Sequence, residues 1–158
     1  MLNPAHSSPK NHGFTLIELL VVITIIGILA IVLIPNMVGM RQRARDNSGK
    51  QQLAHLKDAL RLYYNDYQAY PTTGLNNAMN GCGDGDDACV NGGDFSANGT
   101  LYYKQLPDEF WYEQTLSGDG FVAWIDLENA SDRDAAESAT RCGKTPVAGD
   151  TYYYVCSY

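Results

Sequence analysis

The chain has 158 residues and a formal net charge of −7, which leaves room for one small domain and argues against a surface adapted generally to nucleic acid, a partner left uncertain here. Its three histidines are His6, His12 and His55, and no glycine-rich phosphate loop opens a helix. No catalytic constellation is present, so the sequence reads as a non-enzyme, with no cofactor required.

Residues 1–13 are polar, hold Pro4 and Pro9, and carry one formal charge, Lys10. Such a segment does not start a packed fold, and the positive-inside rule places it in the cytoplasm with the rest of the chain exported. From Phe14 to Ile34 the sequence is apolar with the single charge Glu18. Its length of about 20 residues is what an α-helix needs to cross a bilayer, so 14–35 is expected to be a transmembrane helix. Thr24, Gly27 and Ala30 are small residues at spacing three, suited to close approach of a second helix. Pro35 removes a backbone donor and crowds the carbonyl of Ile31, so a kink or loosening is expected between Gly27 and Pro35. An ionised Glu18 inside hydrocarbon costs on the order of 3 kcal/mol unless compensated. A cut between Gly13 and Phe14 would supply the compensation, since the new α-amino group would lie one helical turn away, in the same chain or in a parallel neighbour.

Beyond Pro35 comes the basic cluster Arg41, Arg43 and Arg45, expected either to meet acidic surfaces of neighbouring subunits or to form a solvated helix face. Leu53, Leu56, Leu60, Tyr63, Tyr64 and Tyr67 then recur at helical spacing, which predicts an amphipathic helix over 36–70 laid against a head at 71–158. Tyr70-Pro71 marks its end, because the residue before proline is pushed out of helical geometry.

The head opens with a glycine-rich loop. Within it, Asp84, Asp86 and Asp87 lie between Cys82 and Cys89 and offer oxygen ligands on a flexible turn. They are weak candidates for calcium, because the EF-hand pattern counted from Asp84 places Phe95 where its final acid belongs. Thr100–Tyr103, Gly120–Leu127 and Asp150–Cys156 read as strands of a small antiparallel sheet. Residues 106–112 read as a short edge strand, and 131–142 as an exposed loop or helical turn. Asn98-Gly99-Thr100 and Asn129-Ala130-Ser131 match the short glycosylation acceptor pattern. All four cysteines, 82, 89, 142 and 156, lie in the head. A head this small is expected to need two disulfides, in one of three pairings. A zinc site is the rival, without a Cys-x-x-Cys pair to favour it.

Gly13-Phe14-Thr15-Leu16-Ile17-Glu18, followed by the apolar run and Pro35, resembles the class III signal sequence of type IV pilins and their pseudopilin relatives. Leu60 to Thr73 is similar to the helix end of many bacterial pilins and major pseudopilins. The resemblance covers about the first half of the chain. It implies an α+β, type IV pilin-like fold in which a long N-terminal helix packs on a small antiparallel head. It also implies cleavage of the leader after Gly13 by a prepilin peptidase, N-methylation of Phe14, and assembly into a homopolymer through Phe14, Glu18 and Pro35. The partners implied are further copies of the chain, the inner membrane before assembly, and an assembly platform with its ATPase machinery. Cys142 with Cys156 would match the C-terminal disulfide loop of many pilins; closing that loop of about 15 residues is worth about 3 kcal/mol in the chain-entropy model, and the local pairing, with Cys82 to Cys89, is preferred. The function so implied is an extracellular pilus subunit serving adhesion, motility or DNA uptake. The alternative is a major pseudopilin of a type II secretion-like system, set second because Leu106 to Trp111 lacks the glycine of the phrase such proteins carry.

Overall fold

The apolar positions that recur every three or four residues after Pro35 do form one face of a helix. The computed structural model describes residues 13–147 and 149–157, with the side chains of 32–38 outside the description. The leader residues 1–12 with Lys10, and the side chain of Pro35, therefore lie outside the described set. Helix α1 runs Leu16–Tyr67. Residues Met1–Val38 and Gly39–Tyr158 form separate compact units, each described by itself below.

In the first unit, the expected span of Phe14–Ile34 runs into the undescribed side chains. Among the described residues no helix is long and apolar enough to cross a membrane.

In the second unit, Leu53, Leu56 and Leu60 are fully buried, with Tyr63 beside them. The same spacing runs back along α1 to Gly49 and Asp46. A Cβ on Gly49 would lie 2.9 Å from Cδ1 of Ile125, so this glycine permits close approach of the helix to the strand behind it. The helix ends at Tyr67, three residues before the expected Tyr70-Pro71 boundary. Gln68 adopts a left-handed conformation with φ 56°; its N–H donates to the Tyr64 carbonyl at 2.8 Å and its side-chain amide to the Asn65 carbonyl at 3.0 Å. A glutamine thus does the capping that glycine or asparagine usually performs.

Among the described residues the strands form two sheets rather than the single one expected. Strands β1 (Phe95–Ala97) and β2 (Thr100–Tyr103) form an antiparallel hairpin. Its two-residue loop is Asn98-Gly99, with φ 46° and 79°, matching the asparagine-glycine preference of tight hairpins. The second sheet has the order β3-β4-β5, with β3 at Trp111–Thr115, β4 at Gly120–Asp126 and β5 at Tyr152–Cys156, all antiparallel. The edge strand expected over 106–112 thus begins only at Trp111. The stretch 131–142 folds as helix α2 (Arg133–Arg141), which buries Ala135, Ser138 and Ala139. Asp132 caps it by accepting the Asp134 N–H at 3.0 Å, with Asp134 in the first turn and Arg141 in the last, both favourable to the helix dipole.

Strand alternation divides the β3-β4-β5 sheet into two faces. Tyr112, Phe121, Ala123, Ile125 and Val155 join Leu53, Leu56 and Leu60 in the main core. On the other face Val122, Cys142 and Cys156 form a small second cluster, with Trp124 and Tyr154 packed against it. On each edge strand one backbone N–H is taken up by a hydroxyl group. The Gln114 N–H donates to Thr73 Oγ1 at 2.6 Å, and the Tyr154 N–H donates to Ser138 Oγ at 3.0 Å.

Candidate assembly surface and head sites

At the start of α1, the residue types dictate a specific cap. Thr15 precedes the first helical residue and Glu18 follows it by three, the spacing of a capping box. The Glu18 carboxylate accepts the Thr15 N–H at 2.9 Å and the Thr15 hydroxyl at 2.7 Å, while Thr15 Oγ1 accepts the Glu18 N–H at 3.3 Å. The signal was present in Thr-x-x-Glu, although the sequence pointed first to the α-amino group at Phe14, in the same chain or in a neighbour, as the partner of Glu18. Around it, Phe14, Ile17, Glu18, Val21 and Val22 line a shallow groove of about 340 Å³. Phe14 is 87% exposed, and Ile17, Val21 and Val22 are exposed as well. A carboxylate thus sits in an apolar strip, its partner among the described residues being Thr15 in its own turn.

Farther along α1, Arg45 turns to its own head rather than outward: its guanidinium donates two hydrogen bonds to Glu128, one of them from Nη2 at 2.6 Å. Lys50 reaches Asp132 at 2.6 Å and Asp134 at 2.7 Å. Burial works against the charged form of Lys50, but the hydrogen bonds it donates to Asp132 and Asp134 outweigh it and raise its pKa. Arg41 and Arg43 remain exposed. Between these cations Asp46, buried, accepts backbone N–H groups of the loop before α2. Sequence reasoning missed Asp46, although extending the apolar stripe backward by helical spacing points to it.

In the head, Cys82 bonds Cys89 and Cys142 bonds Cys156, with Cα separations of 5.1 and 5.7 Å. The first disulfide closes the turn that carries the acidic residues. Cys82 and Asp87 exchange both backbone hydrogen bonds, at 3.0 and 2.9 Å, and Asp86 accepts from the Thr72 hydroxyl at 3.1 Å. Asp84, Asp86 and Asp87 do not converge: among the described residues no three acidic, histidine or cysteine side chains are grouped to hold a metal ion. Nearby, Tyr112 donates to the Pro71 carbonyl at 2.9 Å, and burial pushes its phenol pKa well up.

The N-terminal residues 8–34 match the family model described as the prokaryotic N-terminal methylation motif. The chain is 33% identical over 135 residues to the type II secretion system core protein G of Aeromonas hydrophila, covering 79% of this chain and 90% of that protein. It is 40% identical over 67 residues to the core protein G of Escherichia coli K12, covering 42% of this chain and 46% of that protein. It is also 40% identical over 63 residues to the type IV major pilin protein PilA of Myxococcus xanthus, covering 40% of this chain and 29% of that protein. Apart from the Aeromonas protein, the chain thus spans about half or less of the length of these relatives. No solved structure gives a significant match. A methylation motif leading into a long helix, small antiparallel sheets behind it, and a relative aligned along nearly its whole length together place the chain: it belongs to the type IV pilin and pseudopilin superfamily.

Proposed function

We propose that the protein is the structural subunit of a type IV pilus-like extracellular filament and polymerises through its N-terminal helix. The observation that carries this reading is the strip around Glu18, where exposed apolar side chains surround a carboxylate directly behind the methylation motif. Apolar surface of this kind is stable only when covered by lipid or by another helix. The subunit pool sits in the cytoplasmic membrane by residues 14–35. A prepilin peptidase cuts between Gly13 and Phe14, Phe14 is N-methylated, and the platform and ATPase machinery move the subunit into a filament outside. There Glu18 faces the Phe14 amine of a neighbour.

A second reading, a major pseudopilin of a type II secretion-like system whose short filament acts as a periplasmic piston, is favoured by the alignment along 90% of the Aeromonas core protein G. The two are separated by deleting the gene in its host. Loss of sheared surface fibres that contain the protein, starting at N-methylated Phe14, is the expected result for the pilus. Retention of exoproteins in the periplasm with no change in surface fibres selects the pseudopilus. Fibres built from chains that still begin at Met1 overturn the processing step.

A further inference from the structure

The outer face of the β3-β4-β5 sheet carries an aromatic cluster remote in sequence from the N-terminal helix segment at Phe14 and Glu18. Trp111 and Trp124 are register partners on β3 and β4, nearly parallel at 17° with ring centroids 6.4 Å apart. Tyr154 lies 6.0 Å from Trp124, and Tyr152 meets Trp111 edge-on at 5.9 Å. These four rings, with Asn77 and Lys144, line an open cavity of about 380 Å³. The cluster is held along one side: Trp124 and Tyr154 pack against Val122 and the Cys142–Cys156 pair, and Ser138 holds the Tyr154 backbone. Rings fixed in this way lose little freedom when a ligand covers them.

The lining chemistry selects the ligand. Lys144 bonds Glu113 at 2.9 Å on the rim, so a wholly apolar partner would desolvate an ion pair that it cannot satisfy. A cationic ligand would stack on the rings but would meet the Lys144 ammonium. Single-stranded nucleic acid would also stack, yet its phosphates would find Lys144 as the one cation among the lining residues, already engaged by Glu113, in a chain at −7. A neutral pyranose meets every condition. Its C–H face lies on the aromatic faces, and its hydroxyls exchange hydrogen bonds with the ammonium, the carboxylate and the Asn77 amide.

We propose that this aromatic sheet face, Trp111, Trp124, Tyr152 and Tyr154 with Lys144 and Glu113 at the rim, is a binding site for neutral oligosaccharides. The assignment rests on the head alone and holds in either type of filament.

The test uses the full chain in a non-glycosidic detergent, titrated with neutral oligomers of glucose and of N-acetylglucosamine. Tryptophan emission and saturation-transfer NMR are the readouts. The expected result is saturable millimolar binding to one of these probes, with saturation passing to one face of the sugar ring. Tyr152 is 36% exposed; Tyr152→Ala and Trp111→Ala should each weaken binding roughly tenfold. Circular dichroism checks the fold, and filament yield, measured separately, should stay unchanged in both variants. Absence of saturable binding to every probe overturns the proposal, as does binding that both variants leave untouched. Loss of filaments in these variants without sugar binding by the parent chain would assign the face to subunit packing instead.

Discussion

The carboxylate of Asp46 holds the backbone of Glu128: Oδ1 accepts the Glu128 N–H at 2.8 Å and Oδ2 the Asn129 N–H at 3.1 Å, at a site where Asp46 is only 4% exposed. This bond ties α1 to the loop that leads into α2, and Arg45 and Lys50 reinforce it from either side. Asp46→Ala leaves two N–H groups without their acceptor, for a cost of about 2–3 kcal/mol. Asp46→Asn keeps one acceptor oxygen and should lose roughly half as much. Urea unfolding of the full chain measures both. An alanine variant as stable as the parent would remove this account of how the helix docks.

The same loop makes stability depend on pH. Burial of Asp132 favours its neutral form, but the hydrogen bond from Lys50 and the Asp134 N–H outweigh it and hold its pKa below the ordinary carboxylate range. A group with a depressed folded-state pKa contributes fully above its unfolded value of about 3.9, and that contribution fades as pH falls through the folded value. Melting temperature should therefore drop on acidification through and below about pH 4, and Asp132→Asn should flatten that drop. Lys50 gives the mirror case: its pKa is raised, so its contribution is present below about pH 10.4 and fades as pH rises through the folded value. An Asp132→Asn profile parallel to that of the parent in acid would show that the stabilisation comes from elsewhere.

Much of this was legible in the chain. The leucine stripe at 53, 56 and 60 declared the buried face, and Gly120–Leu127 declared β4, because single residue types fix apolar periodicity. What escaped were features made by context. Asn98-Gly99 matched a glycosylation pattern and concealed a hairpin loop, which only the strand at Phe95–Ala97 makes visible. Gln68 ends α1 although its type carries no stop signal, since its own amide supplies the missing donor. α2 looked exposed because its buried residues, two alanines and Ser138, are small and barely mark a face. Asp84, Asp86 and Asp87 suggested a metal loop by composition alone, and composition could not show that the backbone of Cys82 pairs with that of Asp87 across the turn.

Gly49 is a tolerance test for helix packing. An alanine there would gain up to about 1 kcal/mol of helix propensity while pressing on Ile125 Cδ1 at 2.9 Å, the movable end of a side chain. Gly49→Ala should thus be near neutral, whereas Gly49→Leu, with no room to turn, should cost about 1–3 kcal/mol. A leucine variant that melts with the parent would mean that helix and sheet do not approach closely here.

The two disulfides should respond unequally to removal. Loop-closure entropy gives about 3 kcal/mol for the Cys142–Cys156 loop and about 2.5 kcal/mol for the shorter Cys82–Cys89 loop. The difference widens because Cys142 and Cys156 also pack against Trp124 and Tyr154. Replacing Cys142 and Cys156 by serine should lower the melting temperature more than replacing Cys82 and Cys89, and should also blue- or red-shift the tryptophan emission, which the other pair leaves unchanged. Equal losses with identical emission would contradict the role given to the outer cluster.

Glu18 has two roles that substitution can separate. In the single subunit its carboxylate is engaged by Thr15 within a capping box, so the residue is satisfied before any neighbour arrives. Assembly through the Phe14 amine of another subunit would need the charge; capping needs only an acceptor oxygen. Glu18→Gln keeps that oxygen and removes the charge. Thr15→Ala keeps the charge and removes the hydroxyl, at a cost of about 1 kcal/mol of local helix stability. If the interchain attraction drives polymerisation, Glu18→Gln subunits should accumulate in the membrane, cleaved after Gly13, with filament yield reduced as severely as in Glu18→Ala, while Thr15→Ala subunits should assemble at close to parental yield. Immunoblots of membrane and sheared fractions read both outcomes. Normal filaments from Glu18→Gln with few from Thr15→Ala would reverse the assignment and leave Glu18 as a helix cap alone.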